Sequence, residues 1–195
     1  MTSYVRVALA AVFTAASLGM ASPASSAGGP ASWTVDKASS KLGFKSSFGG
    51  DAFEGAFRRW DAQIAFDPKA LAASKVVVTV DMASASTGDE SRDEALPTDD
   101  WFAAKSFPRA TFTSKGFKDL GGGHYQAMGD LAIRGVAKPI VLPFTLQITG
   151  AQAKMTGQVS INRTVFGVGQ GQFKSAETVP LDVVVNVSLQ AHRAP

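Results

Sequence analysis

The chain has 195 residues, 45% of them hydrophobic, and its 19 basic and 16 acidic side chains leave a formal charge of +3. It contains no cysteine, which excludes disulfides, thiol catalysis, thiolate metal sites and lipid attachment through a cysteine. Lysine and arginine are spread along the sequence, so the slight basic excess forms no nucleic-acid patch.

The first segment reads as an address. Arg6 precedes an uncharged, mostly apolar stretch, Val7–Met20, and small residues follow, with Ser25 and Ala27 spaced as a signal-peptidase site requires. A cleaved leader over 1–27 is expected, with Ala24 as the alternative cut, and residues 28–195 then form one domain of periplasmic or secreted location. The leader is too short and too rich in Ala, Ser and Thr for a membrane anchor.

From Lys41 to Gln190 apolar side chains recur at every second residue, the period of a strand with one apolar and one wet face. Eight runs show it: Lys41–Phe48, Phe53–Phe66, Lys75–Ala83, Ala110–Phe117, His124–Ile133, Lys138–Thr149, Lys154–Asn162 and Val179–Gln190. In the second, Phe57 is one residue out of phase with Trp60, Ile64 and Phe66, which predicts a β-bulge at Arg58–Arg59. Pro68–Ala73 reads as a short helix. Gly121–Gly123 supplies a hairpin turn, and Pro139 and Pro143 on one face of the sixth run mark an edge or a bulge. Thr87–Pro108 breaks the rhythm. Asp89–Leu96 reads as a short helix stopped by Pro97, Thr98 as the N-cap of a second, and Trp101, Phe102 and Phe107 as the apolar underside of a lid. The fold class that follows is all-β, an eight-stranded antiparallel barrel with a short helical insertion at about 88–105.

Such a barrel is either packed solid or hollow enough for one small ligand. Small residues in phase with the apolar face (Ser46, Ala62, Ala110, Gly129, Gly157) alternate with large ones, which favours a tunnel. Its walls would be Phe44, Phe57, Trp60, Ile64 and Phe66 from the first half of the sheet and Trp101 from the insertion. Phe112, Tyr125, Leu131, Leu142, Phe144, Met155, Ile161 and Val183 complete them. Arg92, Arg134 and Arg163 are the candidates for an anionic head group, with surface ion pairs as the competing reading, Arg92 with Asp93 foremost. The histidines are only His124 and His192, neither in a ligand-spaced motif, and there is no Gly-x-Ser-x-Gly element. No catalytic residue, metal ligand or cofactor is therefore assigned, and an enzyme acting on lipids is the weaker alternative.

Several segments resemble the YceI-like family of exported, lipocalin-like proteins. They are Gly55–Phe57 (GAF), Ile64–Asp67 (IAFD), Thr87–Leu96 (TGDESRDEAL), Asp100–Phe102 (DWF), Ser106–Phe112 (SFPRATF), Gly129–Pro139 (GDLAIRGVAKP) and Asn162–Val168 (NRTVFGV). The set runs in order along nearly the whole mature chain. The resemblance implies a lipocalin-like barrel enclosing a polyisoprenoid or similar long-chain amphiphile. This chain departs from the family pattern at Ser39-Ser40 and at Ala95, where family members often carry histidine, so no role of those histidines is carried over. The function expected is a periplasmic lipid-binding protein holding a long-chain isoprenoid (polyisoprenoid, quinone-like or polyprenyl phosphate) for transport, storage or sequestration. A fatty-acid or fatty-amide binder, or a stress-related interaction protein with a filled barrel, are the alternatives. Transient contact with a membrane or membrane protein, and a homodimer, stay open as partners.

Overall fold

The structure is a computed structural model and describes residues 29–194. The expected leader lies outside the described residues. In chain order the strands are β1 (Ser32–Val35), β2 (Lys41–Phe48), β3 (Asp51–Phe57), β4 (Trp60–Ala65), β5 (Lys75–Asp81) and β6 (Ala85–Ser86). After the insertion come β7 (Arg109–Gly121), β8 (His124–Ile133), β9 (Val136–Thr149), β10 (Gln152–Asn162) and β11 (Asp182–Arg193).

All pairings are antiparallel, and β1 pairs with both β4 and β11, which closes the sheet. Three staves of the barrel are broken in two. The upper half of β11 pairs with β2 and its lower half with β1; β4 continues β3 around a corner, and β6 continues β5. Counting each broken stave once gives the expected eight-stranded antiparallel barrel, each stave beside its sequence neighbour. Closure removes the exposed edges that an open sheet of this size would carry.

The corner at Arg58–Arg59 is a break between two strands, β3 and β4, not the expected bulge. Ser84, in the 3₁₀ turn Met82–Ser84, accepts the Arg58 N–H on its carbonyl at 3.0 Å and the Arg59 N–H on its hydroxyl at 3.0 Å. Two adjacent staves therefore bend at the same level. The register shifts lie elsewhere, in β7 between Ser114 and Gly116 and between Asp119 and Gly121. β1 escapes the periodicity because it is too short to show one. Pro68–Ala73 forms turns and no helix, and Val179 belongs to the loop before β11.

The insertion holds one helix, α1 (Glu90–Ala95), with Asp89 as its N-cap accepting from the Arg92 N–H. Thr98 starts no second helix; its hydroxyl donates to Ala95 O at 2.6 Å and closes the first. Arg92 lies 3.5 Å from Asp89, not on Asp93. The Asp93 carboxylate instead accepts from the Thr87 N–H and hydroxyl and from the Ser86 hydroxyl, stapling the helix to β6. Burial would raise its pKa, but those hydrogen bonds outweigh it and hold the carboxyl below its ordinary value.

The two ends of the barrel differ. One is plugged by Trp33, Phe66, Tyr125 and Phe144, with Phe117 and Leu71 packed on them. Phe66 meets Phe117, Tyr125 and Phe144 in edge-to-face contacts with centroids 5.1–6.2 Å apart, the favoured geometry for aromatic quadrupoles. Trp33 Nε1 donates to Phe66 O at 2.9 Å and locks the plug in place. The other end lies under the insertion and the loop joining β10 to β11.

Candidate functional site: an apolar bore with a polar collar

Between plug and cover runs one cavity of about 300 Å³, within the usual range for small-molecule sites. Every strand that contributes an inward face lines it. Val76, Val78 and Val80 from β5 face Val183, Val185 and Val187 from β11, with Ile140 and Leu142 from β9. Branched aliphatic side chains reach less far inward than aromatic rings, so the middle of the barrel stays empty where the plugged end is full. The alternative of a barrel filled throughout by its own side chains does not describe this stretch.

Two glycines help keep the bore clear. The Phe44 ring lies flat on Gly55, where a methyl carbon would sit 2.2 Å from Cζ, and the Phe112 ring lies on Gly129 at 2.7 Å in the same sense. Each ring is laid along the wall because its neighbour has no side chain. Small residues opposite aromatics thus leave a tunnel, but by receiving the ring rather than by forming a gap.

Of the fourteen wall residues expected from sequence, Phe44, Phe57, Trp60, Ile64, Phe66, Trp101 and Phe112 line this cavity, as do Leu131, Leu142, Phe144, Met155, Ile161 and Val183. Tyr125 does not. It stacks on Phe144 with centroids 5.5 Å apart inside the plug, and burial raises its phenol pKa. Sequence reading missed Trp33, on a strand too short for periodicity, and Phe166 and Val168, on a loop with no period at all.

Only three lining residues bear a hydroxyl or a charge: Ser46, Thr111 and Arg163. Two of them lie toward the covered end, two strands apart. Continuing the β11–β2 register sets Ser46 beside Val183, Val183 pairs with Ile161, and Arg163 follows two residues on. Ser46 Oγ is the one buried side-chain polar atom without a hydrogen-bond partner among the described residues.

Arg163 is 4% exposed and opens a 3₁₀ turn, Arg163–Phe166, capped by the Asn162 side chain. Its guanidinium donates to five carbonyls, those of Val168, Phe173, Ser175, Val179 and Pro180, at 2.6–3.2 Å. It therefore folds the Arg163–Leu181 loop around itself. Among the described residues no carboxylate lies within ion-pair distance, so the buried charge is compensated by carbonyl dipoles and by the Trp101 ring, whose centroid is 5.7 Å from the guanidinium carbon. Burial lowers its pKa, yet a guanidinium starts so high that it stays charged at neutral pH. Gly169 is obligatory beside it, since a Cβ there would fall 1.9 Å from Nη1.

Arg134 has a different task. Arg134 and Gly135 both take positive φ, 50° and 74°, the signature of a two-residue hairpin whose twist matches its strands. That turn aims the guanidinium at the insertion, where it donates to Asp99 O at 2.6 Å and to Trp101 O. The insertion and the β10–β11 loop are tied together as well. Gly169 and Gln170 N–H both donate to Asp100 O, and Trp101 packs on Phe173 with centroids 5.0 Å apart. The covered end is one hydrogen-bonded unit. Arg92 lies outside the bore, its guanidinium over the Phe53 ring at 4.8 Å.

A model of the YceI-like domain matches residues 33–191. A UPF0312 protein from Pseudomonas savastanoi pv. phaseolicola is 31% identical over 162 residues, covering 78% of this chain and 84% of the relative. Among solved structures, Burkholderia cenocepacia BcnA superposes with TM-score 0.77 and 35% identity, over 80% of this chain and 99% of that one. A polyisoprenoid binding domain from Saccharophagus degradans, implicated in plant cell wall breakdown, shares the fold with TM-score 0.65 at 16% identity, over 84% and 99% of the two chains. A closed eight-staved barrel, a covering insertion and a family match across nearly the whole barrel agree: the chain belongs to the YceI-like family.

Proposed function

We propose that this protein binds one long-chain isoprenoid or similar amphiphile, without chemical change to it, and carries or sequesters it in the periplasm once the leader is removed. The observation that carries this reading is the single bore, apolar along its length and polar only near the covered end. A chain of about ten methylenes buried there would gain roughly 8 kcal/mol before ordering costs. The tail lies toward the plug and the head beneath the insertion. There the unpartnered Ser46 hydroxyl offers a hydrogen bond, and Arg163, compensated by dipoles and an aromatic ring, favours an acceptor with negative charge. A fatty acid would satisfy the same collar, and a guanidinium with no carboxylate partner among the described residues is the reason to keep that reading. The isoprenoid ligand of the fold relative from Saccharophagus degradans and the family membership support the isoprenoid.

The test is extraction of the protein, purified from its native host, with organic solvent, followed by mass spectrometry. A stoichiometric long-chain lipid is expected, with Ser46→Ala and Arg163→Leu carrying less of any acidic species. Absence of stoichiometric lipid, together with failure to bind farnesol or retinol, would overturn the proposal.

A further inference from the structure

Along one seam of the barrel wall two long neighbouring strands run on past the end of their shared ladder. β9 and β10 pair from Gln152–Thr149 to Gly157–Phe144, and there the ladder stops although both strands run on. β9 extends another eight residues, to Val136, held only by β8, and β10 another five, to Asn162, held only by β11. The cause is in the sequence. Leu146 sends its N–H to Gly123 O on the β8 side, so by alternation Thr145, Pro143, Val141 and Pro139 face β10. Two of those four have no N–H to give. Gly157, whose missing Cβ would lie 3.0 Å from Pro143 O, marks the last close approach of the two backbones.

The seam opens onto the bore. Ile140 and Leu142 on one bank and Val159 and Ile161 on the other are all lining residues of the cavity. Outside, the rim is apolar on the β9 side and at the turn, with Val141 47% exposed and Val165, on the turn above the seam, 46%, while Gln158 and Ser160 make the β10 side polar. The axial mouth is tied across: Asp100 O accepts from the Gly169 and Gln170 N–H groups and so joins the insertion to the β10–β11 loop, Arg134 ties the insertion to the β8–β9 hairpin, and Arg163 holds the loop to itself. Opening the cover would break those hydrogen bonds together. Parting β9 from β10 above Gly157 meets no further ladder pairing beyond the Phe144–Gly157 step.

Building on the carrier reading, we infer that the β9–β10 seam is the ligand's lateral door: the chain passes sideways between Val136–Pro143 and Gln158–Asn162, while the covered end stays shut. A sideways path lets an apolar chain leave a lipid surface without crossing water along its whole length. The apolar part of the rim is the surface that would meet it.

The absence of cysteine makes the test clean. Val141 and Ser160 face each other across the seam if the register is continued, and Thr145 and Thr156 face each other across the closed ladder, their hydroxyls 2.8 Å apart. V141C/S160C is bridged by oxidation, or by a short bis-maleimide where thiols remain free. T145C/T156C, bridged the same way, is the control. Loading is followed by the fluorescence of retinol arriving from phosphatidylcholine vesicles. Bridging the seam is expected to slow loading at least tenfold at unchanged equilibrium affinity, bridging the control ladder to leave it alone, and Val159→Ala to speed it. Unchanged loading after bridging overturns the lateral door and leaves the carrier reading standing. Failure of the unbridged protein to take up retinol at equilibrium, together with no stoichiometric lipid on extraction, overturns both.

Discussion

The plugged end and the covered end close the same barrel by opposite means. The plug is made of aromatic rings that fill space and bury apolar area, with a single buried indole hydrogen bond to fix its register. The cover is held by hydrogen bonds to backbone carbonyls, most from two arginines, over a bore that stays empty. Rings that interdigitate form a wall no ligand displaces, whereas a polar cover sets a collar around an apolar space without filling it. Filling and capping are different solutions, and only the second leaves a site.

The sharpest way to break that contrast is to make the plug hollow. Phe66→Ala removes the ring that three others contact and should cost about 3–5 kcal/mol in denaturant unfolding; a loss below 1 kcal/mol would show that the rings are not what closes this end. Arg163→Leu attacks the cover. Five carbonyls lose their donor, and a loss of about 3 kcal/mol is expected, with faster amide exchange confined to Arg163–Leu181. Protection unchanged in that loop would mean the carbonyls have other partners.

Gly55→Ala leaves both ends intact and narrows the bore between them. The new methyl pushes the Phe44 ring off the wall, at about 1–3 kcal/mol, and ligand capacity should fall more than stability. Acid loosens the cover next. Asp93 has its pKa lowered in the folded protein, so its contribution is full above the unfolded value of 3.8 and is lost as pH falls below it. Asp93→Asn should flatten that dependence, read as insertion-specific amide exchange across the acid range. Ser46→Ala is the smallest change. Without ligand it should be neutral or stabilising by up to about 1 kcal/mol, since an orphan hydroxyl leaves an apolar wall; with an acidic or hydroxylated ligand it should weaken binding.

The staves were legible in the sequence because alternation survives wherever a strand is long. β8 runs over the residues expected, and β9 and β10 lie within two residues of them. The corner at Arg58–Arg59 was legible as an irregularity but not as a break, because it depends on Ser84, a partner far along the chain. Most of the thirteen wall residues were found because inward phase is a local property; Trp101, on the insertion, and the out-of-phase Phe57 were not read from it. Tyr125 shares that phase but not the void, and only the three-dimensional stack with Phe66 and Phe144 separates the two. Arginine was the least legible. Nothing local to Arg163 says that its partners come from Val168 to Pro180, and nothing in Arg134 but the following glycine says that it starts a hairpin.

The three tryptophans stand at different depths of the bore. Trp33 is in the plug, Trp60 packs with Val80 and Ala110 nearer the insertion, and Trp101 is part of the cover itself. Nature has in effect graduated the barrel: chains brominated at successive carbons would darken these indoles one after another, and the order would read out which way a guest points and how deep it reaches.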